Sequence, residues 1–350
     1  MKLTLNALTD LRDLPYDTII DARAPAEFAE DHLPGAINLP VLDDEERARV
    51  GTIYKQVSPF DARKIGGALV AKNVARHLEE TLHDHQGGWR PLVYCWRGGQ
   101  RSGSFATILS QVGWRVGLID GGYKSYRRLI VRSMHDAPIP HKFILIDGPT
   151  GTAKTDLLAH LKSAGAQVID LEGIYAHRGS LLGAVGHPQP SQKKAEGELA
   201  MQLAHLDPAK PVYVEAESSR IGDRLVPPSV WTAMCAAPRI RIDASIPARA
   251  EYLTRAYADL IDDPEALMAR MEPLRSFQSR ELVDHWMELA KVGAFSTLAA
   301  ELMEQHYDSR YEKSANRYPH TLLGRIHLGD AIDTAALDRA AEQCLSLSTE

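Results

Sequence analysis

Residues 91–102, PLVYCWRGGQRS, decide the fold of the first half of the chain. The first four are apolar and predict a short buried strand, which Cys95 follows directly. Gly98 and Gly99 let successive backbone N–H groups turn towards one point, and such a nest binds an anion. The same field stabilises a thiolate over a thiol, so the segment predicts a nucleophilic cysteine at the end of a strand.

Two arginines strengthen this interpretation of the loop. Arg97 and Arg101 bring fixed positive charge to it, and Arg101 completes a Cys-x5-Arg spacing. Ser102 is predicted to cap the helix that residues 104–109 indicate. A lone cysteine is more often a buried structural residue, but the glycines and arginines beside Cys95 favour a reactive one.

The composition predicts an ordinary globular protein of two domains. The chain has 350 residues, of which 44% are hydrophobic and 25% charged, and its formal net charge is -6. This mild acidity argues against indiscriminate binding of polyanions but permits a local basic patch. No apolar run reaches the roughly 18–20 residues that span a bilayer, and residues 1–6 lack the apolar core of a signal peptide. Three cysteines argue against a disulfide scaffold, so we expect a reducing, cytoplasmic location.

Short apolar runs alternate with helical patterns across the first half. Strands are predicted at 18–20, 91–94 and 115–119, and a helix at 62–82. Strands separated by helices indicate a parallel sheet that carries functional loops at its carboxyl edge. Residues 121–141 then form a seam, with a glycine pair, a basic aromatic segment and a Pro-Ile-Pro boundary.

The second half restarts with a phosphate-loop pattern. A buried strand predicted at 142–146 leads into GPTGTAKT and then into a helix. The octapeptide matches G-x-x-x-x-G-K-[ST] with one exception. In such a loop, backbone N–H groups and the helix N-terminus hold phosphates, the lysine neutralises them and the last hydroxyl ligates Mg²⁺. The predicted phosphate-binding residues are Gly148, Gly151, Thr152, Lys154 and Thr155, besides Gly98 and Gly99 of the first loop.

The exception is Ala153, which replaces the glycine before the lysine. Its methyl group penalises a positive φ, so a nucleoside triphosphate would be wrapped less tightly. A smaller or differently placed phosphate would be less affected. An ordinary strand–turn–helix with a surface lysine is the simpler alternative, and the register of Lys154 and Thr155 argues against it.

Polar side chains gather where the later strands of this sheet are predicted to end. Carboxylates at strand ends can hold Mg²⁺ directly or through water. Each one alone fits a helix cap or a surface charge equally well, and no metal ligand is certain. From about residue 247 the pattern is helical, with helices predicted at 248–260, 265–271 and 279–300. The candidate polar or metal-adjacent residues are Asp170, Glu172, His177, Arg178, Ser180, Gln192, Glu215 and Glu217.

Several motifs in this chain resemble known families. The first half is similar to a rhodanese domain at residues 21–23, 27–28 and 32–38 and at the Cys95 loop. Joined to a phosphate-loop domain, the chain resembles the tRNA 2-selenouridine synthase family. This second resemblance rests on ordered motifs at residues 94–99, 121–124, 170–173, 177–180, 189–193 and 214–218. It implies an α/β fold with a rhodanese-like parallel-sheet domain at 1–135, a P-loop α/β domain at 136–260 and a C-terminal helical extension at 261–350.

The resemblance implies an enzyme that acts on the wobble uridine of certain tRNAs. A 2-thiouridine is first S-geranylated with geranyl diphosphate, and selenium from selenophosphate then replaces the geranylthio group. An alkylated sulfur departs as a thiolate, whereas a thiocarbonyl sulfur is a poor leaving group. Cys95, beside Arg97 and Arg101, would carry the selenium. We hypothesise that Lys154 offsets charge on the geranyl donor's diphosphate, and the sequence leaves open which of the two loops serves which donor. The resemblance implies no tightly bound cofactor and no membrane, and Mg²⁺ is a candidate ligand.

Contacts with tRNA are expected from surface patches. A flipped anticodon base that stacks on an aromatic ring suits recognition of single-stranded RNA. Plain helix surface is an equally good interpretation of each residue. The candidates at the seam are Tyr123, Lys124, Arg127 and Arg128, and those nearer the C-terminus are Arg310, Lys313 and Arg317 with Tyr307, Tyr311 and Tyr318.

Three other functions fit parts of the sequence. A Cys-x5-Arg phosphatase fused to a P-loop module predicts turnover of aryl phosphates that depends on Cys95 and not on tRNA. A plain persulfide sulfurtransferase predicts thiosulfate:cyanide activity and no use of selenophosphate. A tRNA-binding scaffold with degenerate sites has Ala153 as its sole support.

Overall fold

The structure is a computed structural model that describes residues 1–180, 182–315 and 319–348. The chain forms two compact units. The first comprises Met1–Asp136 and Ser191–His205, and the second comprises Ala137–Pro190 and Leu206–Glu350. The α/β fold class predicted from the sequence is confirmed, with parallel sheets and a helical C-terminal region.

The first unit is built on a parallel sheet whose strand order is β1-β5-β4-β2-β3. Its central strand β4 is buried along its whole length, as the apolar run 91–94 predicts. The strands are β1 (Lys2–Leu3), β2 (Thr18–Asp21), β3 (Ala36–Asn38), β4 (Pro91–Tyr94) and β5 (Gly117–Ile119). The helices are α1 (Pro25–Glu30), α2 (Asp44–Gln56), α3 (Pro59–Glu80), α4 (Gln100–Val112) and α5 (Tyr123–Val131), with a 3-10 turn at Leu8–Leu11 and a π-helical turn at Arg132–Asp136.

The second unit begins with β6 (Lys142–Asp147), α6 (Lys154–Ser163), β7 (Gln167–Ile169) and α7 (Leu171–Tyr175). The next helix, α8 (Gln192–His205), belongs to the first unit, and the chain after it belongs to the second unit again. The remaining strands are β8 (Pro211–Glu215), β9 (Arg220–Ile221), β10 (Arg224–Leu225), β11 (Arg239–Asp243) and β12 (Leu322–His327). The remaining helices are α9 (Pro228–Ala236), α10 (Ile246–Ala256), α11 (Ala258–Ile261), α12 (Pro264–Met271), α13 (Arg280–Lys291), α14 (Phe295–Leu302), α15 (Asp308–Ala315) and α16 (Thr334–Leu347), with a 3-10 turn at Glu272–Ser276 and a π-helical turn at Met303–Tyr307.

The sheet of the second unit is also parallel and has the strand order β12-β11-β6-β8-β7. Its middle strand β6 leads directly into the predicted phosphate loop, which therefore lies at the carboxyl edge of the sheet. Ile146 of β6, Leu157 of α6 and Ile242 of β11 share the same buried core. Strands β9 and β10 form a separate antiparallel ribbon.

The C-terminal region differs from its sequence prediction in two respects. The helix predicted at 279–300 is two helices, α13 and α14, because Gly293 adopts a φ of 73° that ends the first one. A left-handed residue after a helix is a common stop signal, and glycine adopts it without strain. The region is also not purely helical, since β12 pairs with β11 at the edge of the sheet.

Helix α8 belongs to the first unit although its sequence lies inside the second domain predicted at 136–260. Lys193 of α8 forms an ion pair with Glu30 at 2.6 Å.

None of the described helices combines the length and apolarity that a transmembrane span requires.

Candidate functional site

Cys95 lies where the sequence predicts it, at the first position after β4. The loop 95–99 then leads into α4, whose N-terminus begins at Gln100. Cys95 is 3% exposed and forms no disulfide. It is therefore a buried cysteine at the carboxyl edge of the sheet, not a surface thiol. Cys235 and Cys344 are also free thiols.

Ser102 contacts the thiol rather than capping the helix. Its hydroxyl lies 3.1 Å from Cys95 Sγ and donates a hydrogen bond to it. The residue at the cap position of α4 is Gly99, which offers no side chain, so the predicted role of Ser102 as a helix cap is wrong. This hydrogen bond fixes the position of the sulfur against the first turn of α4.

Two glycines allow the cysteine loop to pack against the turn before α5. Gly98 and Gly122 have φ values of 68° and 59°. A Cβ atom on Gly122 would lie 2.2 Å from the Cys95 carbonyl oxygen and 2.6 Å from the Gly98 nitrogen. The Tyr123 N–H donates to the Cys95 carbonyl at 2.8 Å. The backbone of the loop is therefore held by direct contact with its neighbour.

The two arginines of the loop have different surroundings. Arg97 is exposed. Arg101 instead forms a bidentate pair with Glu27 of α1, at 2.6 and 3.4 Å. Glu27 also accepts from Arg47 at 3.1 Å, and these two arginines hold its pKa below the ordinary value although burial acts to raise it. In this arrangement Arg101 anchors the loop to α1, and Glu27 neutralises its charge.

The polar residues around β2 form a buried framework. Asp21 and Arg23 pair at 2.6 Å and are both less than 2% exposed. Arg23 also donates to the Asp31 carbonyl at 2.6 Å and lies 4.0 Å from the centre of the Tyr123 ring. The Tyr123 hydroxyl donates to the Asp31 carboxylate at 2.7 Å. These contacts give the motif Asp21–Arg23 a structural role beneath the loop.

This framework corrects the expectation for the seam. Tyr123 is 2% exposed, so its ring is not available to stack on an RNA base. Arg127 forms an ion pair with Glu196 of α8 and donates to the Lys193 carbonyl, so α8 already covers it. Lys124 and Arg128 are exposed and remain candidates for contact with phosphates.

The phosphate loop of the second unit has the predicted strand-loop-helix geometry. Gly151 has a φ of 86°, and Ala153, at the cap position of α6, has a φ of 53°. Ala153 therefore adopts the left-handed conformation that disfavours a side chain. Lys154 Nζ donates to the Gly148 carbonyl at 2.9 Å, across the mouth of the loop. The Thr152 hydroxyl is buried and donates to the Pro149 carbonyl at 2.9 Å, so it stabilises the turn.

Two carboxyl groups lie next to this loop. Glu172 accepts from the Thr155 hydroxyl at 2.7 Å. Burial and the neighbouring Glu217 raise the pKa of Glu172 to about 7, although Lys154 acts to lower it. Burial also raises the pKa of Glu217, which hydrogen-bonds to Glu172. Glu172 can therefore hold and release a proton near neutral pH beside Lys154 of the loop.

The structure brings most of the predicted polar residues of the second unit into one cleft of about 1710 Å³. Gly148, Thr152 and Glu215 are not among the residues that line it, and Gln192 belongs to α8 of the first unit. The predicted residues that line the cleft are Gly151, Lys154, Thr155, Asp170, Glu172, His177, Arg178, Ser180 and Glu217.

Some of these residues have structural partners. Asp170 accepts from the Gly173 N–H at 2.7 Å and caps α7. Glu215 is fully buried and accepts from the Leu171 N–H at 2.9 Å, and burial holds its pKa well above the ordinary value. Arg178 pairs with Asp259 at 3.0 Å. Among the described residues, no group of three or more His, Cys, Asp and Glu side chains is arranged to hold a metal ion.

Burial lowers the pKa of His177 and so favours its neutral ring. Gln192, on α8 of the first unit, donates to Glu196 of the same helix at 3.1 Å. The glutamine at the cleft wall is Gln189, which donates to the Tyr175 carbonyl at 2.9 Å.

A network of hydrogen bonds that the sequence did not indicate ties the C-terminal region to the phosphate loop. Arg249 of α10 is 3% exposed, donates to the Thr150 carbonyl at 2.7 Å, and forms a bidentate pair with Asp308 at 2.6 and 2.9 Å. Tyr311 of α15 donates to Asp147, the last residue of β6. No local sequence signal marks these residues, because the partners are 59 to 164 positions apart.

The C-terminal basic patch is less suited to RNA than its sequence suggests. Arg310 is exposed and lies 4.4 Å from the centre of the Phe277 ring. The Tyr311 hydroxyl is engaged with Asp147. Lys313 is exposed. Tyr307 lines the cleft of the second unit. The other two candidates of the patch, Arg317 and Tyr318, lie outside the described residues.

Comparisons with known proteins match both units. A family profile described as "Rhodanese-like domain" matches residues 4–129, and one described as "tRNA 2-selenouridine synthase AAA domain" matches residues 141–282. A curated tRNA 2-selenouridine synthase from Nitrosomonas europaea is 36% identical over 275 residues, which cover 76% of this chain and 70% of the relative. The chain belongs to the tRNA 2-selenouridine synthase family.

A second curated relative agrees with this membership. A tRNA 2-selenouridine synthase from Shewanella halifaxensis is 37% identical over 245 residues, which cover 68% of this chain and 65% of the relative. The chain thus spans about two thirds of the length of these family members. A solved rhodanese-related protein from Thermoplasma volcanium matches 31% of this chain and 73% of its own, with 20% identity and a TM-score of 0.20.

Proposed function

We propose that this chain converts the wobble 2-thiouridine of tRNA to 2-selenouridine, through S-geranylation with geranyl diphosphate and replacement of the geranylthio group by selenium from selenophosphate. Membership of the tRNA 2-selenouridine synthase family supports the overall reaction. The single observation that carries the two-step scheme is that one chain holds two loops of the kind that binds anions, each directly before the N-terminus of a helix. These are the Cys95 loop before α4 and the Lys154 loop before α6.

The Lys154 loop suits the alkylation step. The thiocarbonyl sulfur of the tRNA attacks the first carbon of the geranyl donor, the carbon–oxygen bond breaks, and diphosphate leaves. Lys154 and the N-terminus of α6 would stabilise the charge on the leaving diphosphate. Thr155 and Glu172 supply oxygen ligands of the kind that Mg²⁺ takes alongside substrate phosphates, and the metal would neutralise the same charge.

The Cys95 loop suits the handling of selenium. The thiol is buried, receives a hydrogen bond from Ser102 and lies at the N-terminus of α4. We assign Cys95 to the delivery of selenium, shielded from bulk solvent: its sulfur attacks the phosphorus of selenophosphate, the phosphorus–selenium bond breaks to release hydrogen selenide, and water then cleaves the phosphocysteine to free Cys95 and phosphate. In the last step the selenium nucleophile adds to C2 of the geranylated base, and the carbon–sulfur bond breaks to release geranylthiolate.

The neutralised state of Arg101 argues against the phosphatase alternative. A Cys-x5-Arg phosphatase needs its arginine free to bind the phosphate dianion, whereas both terminal nitrogens of the Arg101 guanidinium donate to Glu27 here. Exposed Arg97 is the residue of this loop that is open to an anionic donor.

The test is mass analysis of thiolated tRNA incubated with the protein, geranyl diphosphate and selenophosphate. Cys95→Ala is expected to accumulate geranylated tRNA and to lose selenouridine at least 100-fold. Lys154→Ala is expected to lose geranylated product. Cys235→Ala, which changes a free thiol of the second unit, is the matched control and should behave as the unmodified protein.

Formation of selenouridine at the normal rate by Cys95→Ala would show that the assignment of Cys95 to the handling of selenium is wrong. Aryl phosphate turnover that needs Cys95 and ignores tRNA would favour the phosphatase.

A further inference from the structure

An apolar pocket adjoins the phosphate loop of the second unit. Its volume is about 70 Å³, and Thr150 of the loop forms part of its wall. Leu253 of α10, Leu260 of α11, and Leu298 and Leu302 of α14 are among the side chains that line it. Three of these leucines belong to the buried core of the helical region, so the pocket is an indentation in that core.

The pocket is continuous with the phosphate cleft. The cleft that contains Lys154 and the pocket share five lining residues: Thr150, Ser180, Leu253, Tyr257 and Tyr307. A ligand whose anionic group lies at Lys154 can therefore extend an attached group into the pocket without leaving the protein surface.

The chemistry of the two neighbouring surfaces selects the kind of ligand. The loop with Lys154 favours a phosphate, whereas the pocket is lined mainly by aliphatic and aromatic side chains. Burial of a hydrocarbon there is favourable at roughly 25 cal/mol per Å². A nucleotide base would leave ring nitrogens and carbonyl oxygens without partners in the same place, which is costly. An anionic head joined to a hydrocarbon chain fits both surfaces.

We propose that this pocket holds the branched three-carbon end of the donor's hydrocarbon chain and limits the chain length that the site accepts. A cavity of about 150 Å³ holds a six-carbon ring, so a pocket of about 70 Å³ has room for about three carbons. The remainder of a ten-carbon chain lies along the cleft wall between the pocket and the loop. This inference rests on the proposed function, since it takes a prenyl diphosphate as the donor.

The experiment titrates the full chain with inorganic pyrophosphate and with dimethylallyl, geranyl and farnesyl diphosphates. Geranyl diphosphate is expected to bind tightest. Ala299→Trp places an indole in the pocket and should weaken binding of geranyl diphosphate at least tenfold, because each buried methylene contributes about fourfold in affinity. Binding of pyrophosphate should not change. Thr297→Trp is the matched control, an exposed position on the same helix.

A second variant covers the case in which the indole prevents folding. Phe295→Ala enlarges the pocket and should raise the affinity for farnesyl diphosphate at least fivefold, with pyrophosphate again unaffected. If geranyl diphosphate binds better than pyrophosphate and neither Ala299→Trp nor Phe295→Ala alters the preference, the pocket assignment is wrong while the donor stands. If the unmodified protein binds pyrophosphate and geranyl diphosphate equally, both the pocket assignment and the proposed donor are wrong.

Discussion

Substitution of Gly122 by alanine should displace the cysteine loop. Gly122 has a φ of 59° and a ψ of -151°, a region that is essentially restricted to glycine. The added Cβ would lie 2.2 Å from the Cys95 carbonyl oxygen, 2.6 Å from the Gly98 nitrogen and 3.0 Å from the Arg97 nitrogen. All three are backbone atoms of the loop, so no side-chain rotation can relieve the contact.

The expected cost follows from two separate effects. Backbone strain at such a position costs about 1–3 kcal/mol, and overpacking costs about 1–3 kcal/mol more. We therefore expect Gly122→Ala to lower the free energy of local opening by about 2–6 kcal/mol. Because Cys95 is 3% exposed in the native state, its reaction with iodoacetamide should accelerate at least tenfold.

Hydrogen exchange of a peptide that covers residues 91–112 measures the opening free energy, and mass spectrometry measures the alkylation. Gly99→Ala is the control, since Gly99 has a φ of -94° and no atom lies within 4 Å of its added Cβ. Equal protection and equal alkylation in the two variants would refute the claim that Gly122 supports the loop.

Three further predictions concern the phosphate loop and the RNA surface. Asp308→Ala leaves the buried guanidinium of Arg249 without its anion, so the free energy of unfolding in urea should fall by about 3–5 kcal/mol. Calorimetry should also show weaker binding of pyrophosphate. An unchanged unfolding free energy together with unchanged pyrophosphate binding would contradict a role of the Arg249–Asp308 pair in holding the phosphate loop. Because the pKa of Glu172 is raised from 4.5 to about 7, the folded protein binds more protons than the unfolded chain in that interval, and stability falls as the pH rises through it. Glu172→Gln should therefore flatten the fall in unfolding free energy between pH 4.5 and 7, and an identical pH profile would exclude this carboxyl as its source. Neutralising Lys124 and Arg128 together should reduce the slope of log tRNA affinity against log salt by about 1.4, whereas an unchanged slope would place the RNA elsewhere.

Local patterns in the sequence predicted the parts of the site that depend on neighbouring residues. The apolar run 91–94 followed by Cys95, and the strand before Lys154, lie where the patterns place them. Strand-loop-helix units can be predicted in this way because the strand period, the glycines and the helix start all act within about ten residues. The cost predicted for Ala153 is also visible, as its φ is 53°.

Long-range pairing decided which of the charged residues are available. Arg101 has the right spacing from Cys95, yet Glu27, which lies 74 positions away, neutralises it. Tyr123 lies in a basic segment, yet its hydroxyl is buried against Asp31, 92 positions away. A charge pattern in the sequence shows only which side chains could bind an anion. Whether such a side chain is already paired with another residue depends on how distant elements pack.

The sequence by itself determined that this chain contains a cysteine loop and a phosphate loop, each at the carboxyl end of a parallel strand, because both depend on local backbone chemistry. The tertiary structure alone decided that α8 completes the first unit, that Arg249 and Asp308 tether the phosphate loop, and that an apolar pocket adjoins Thr150. These features depend on side chains that meet only when distant segments pack, and the free energy of that packing comes from burial rather than from local propensity.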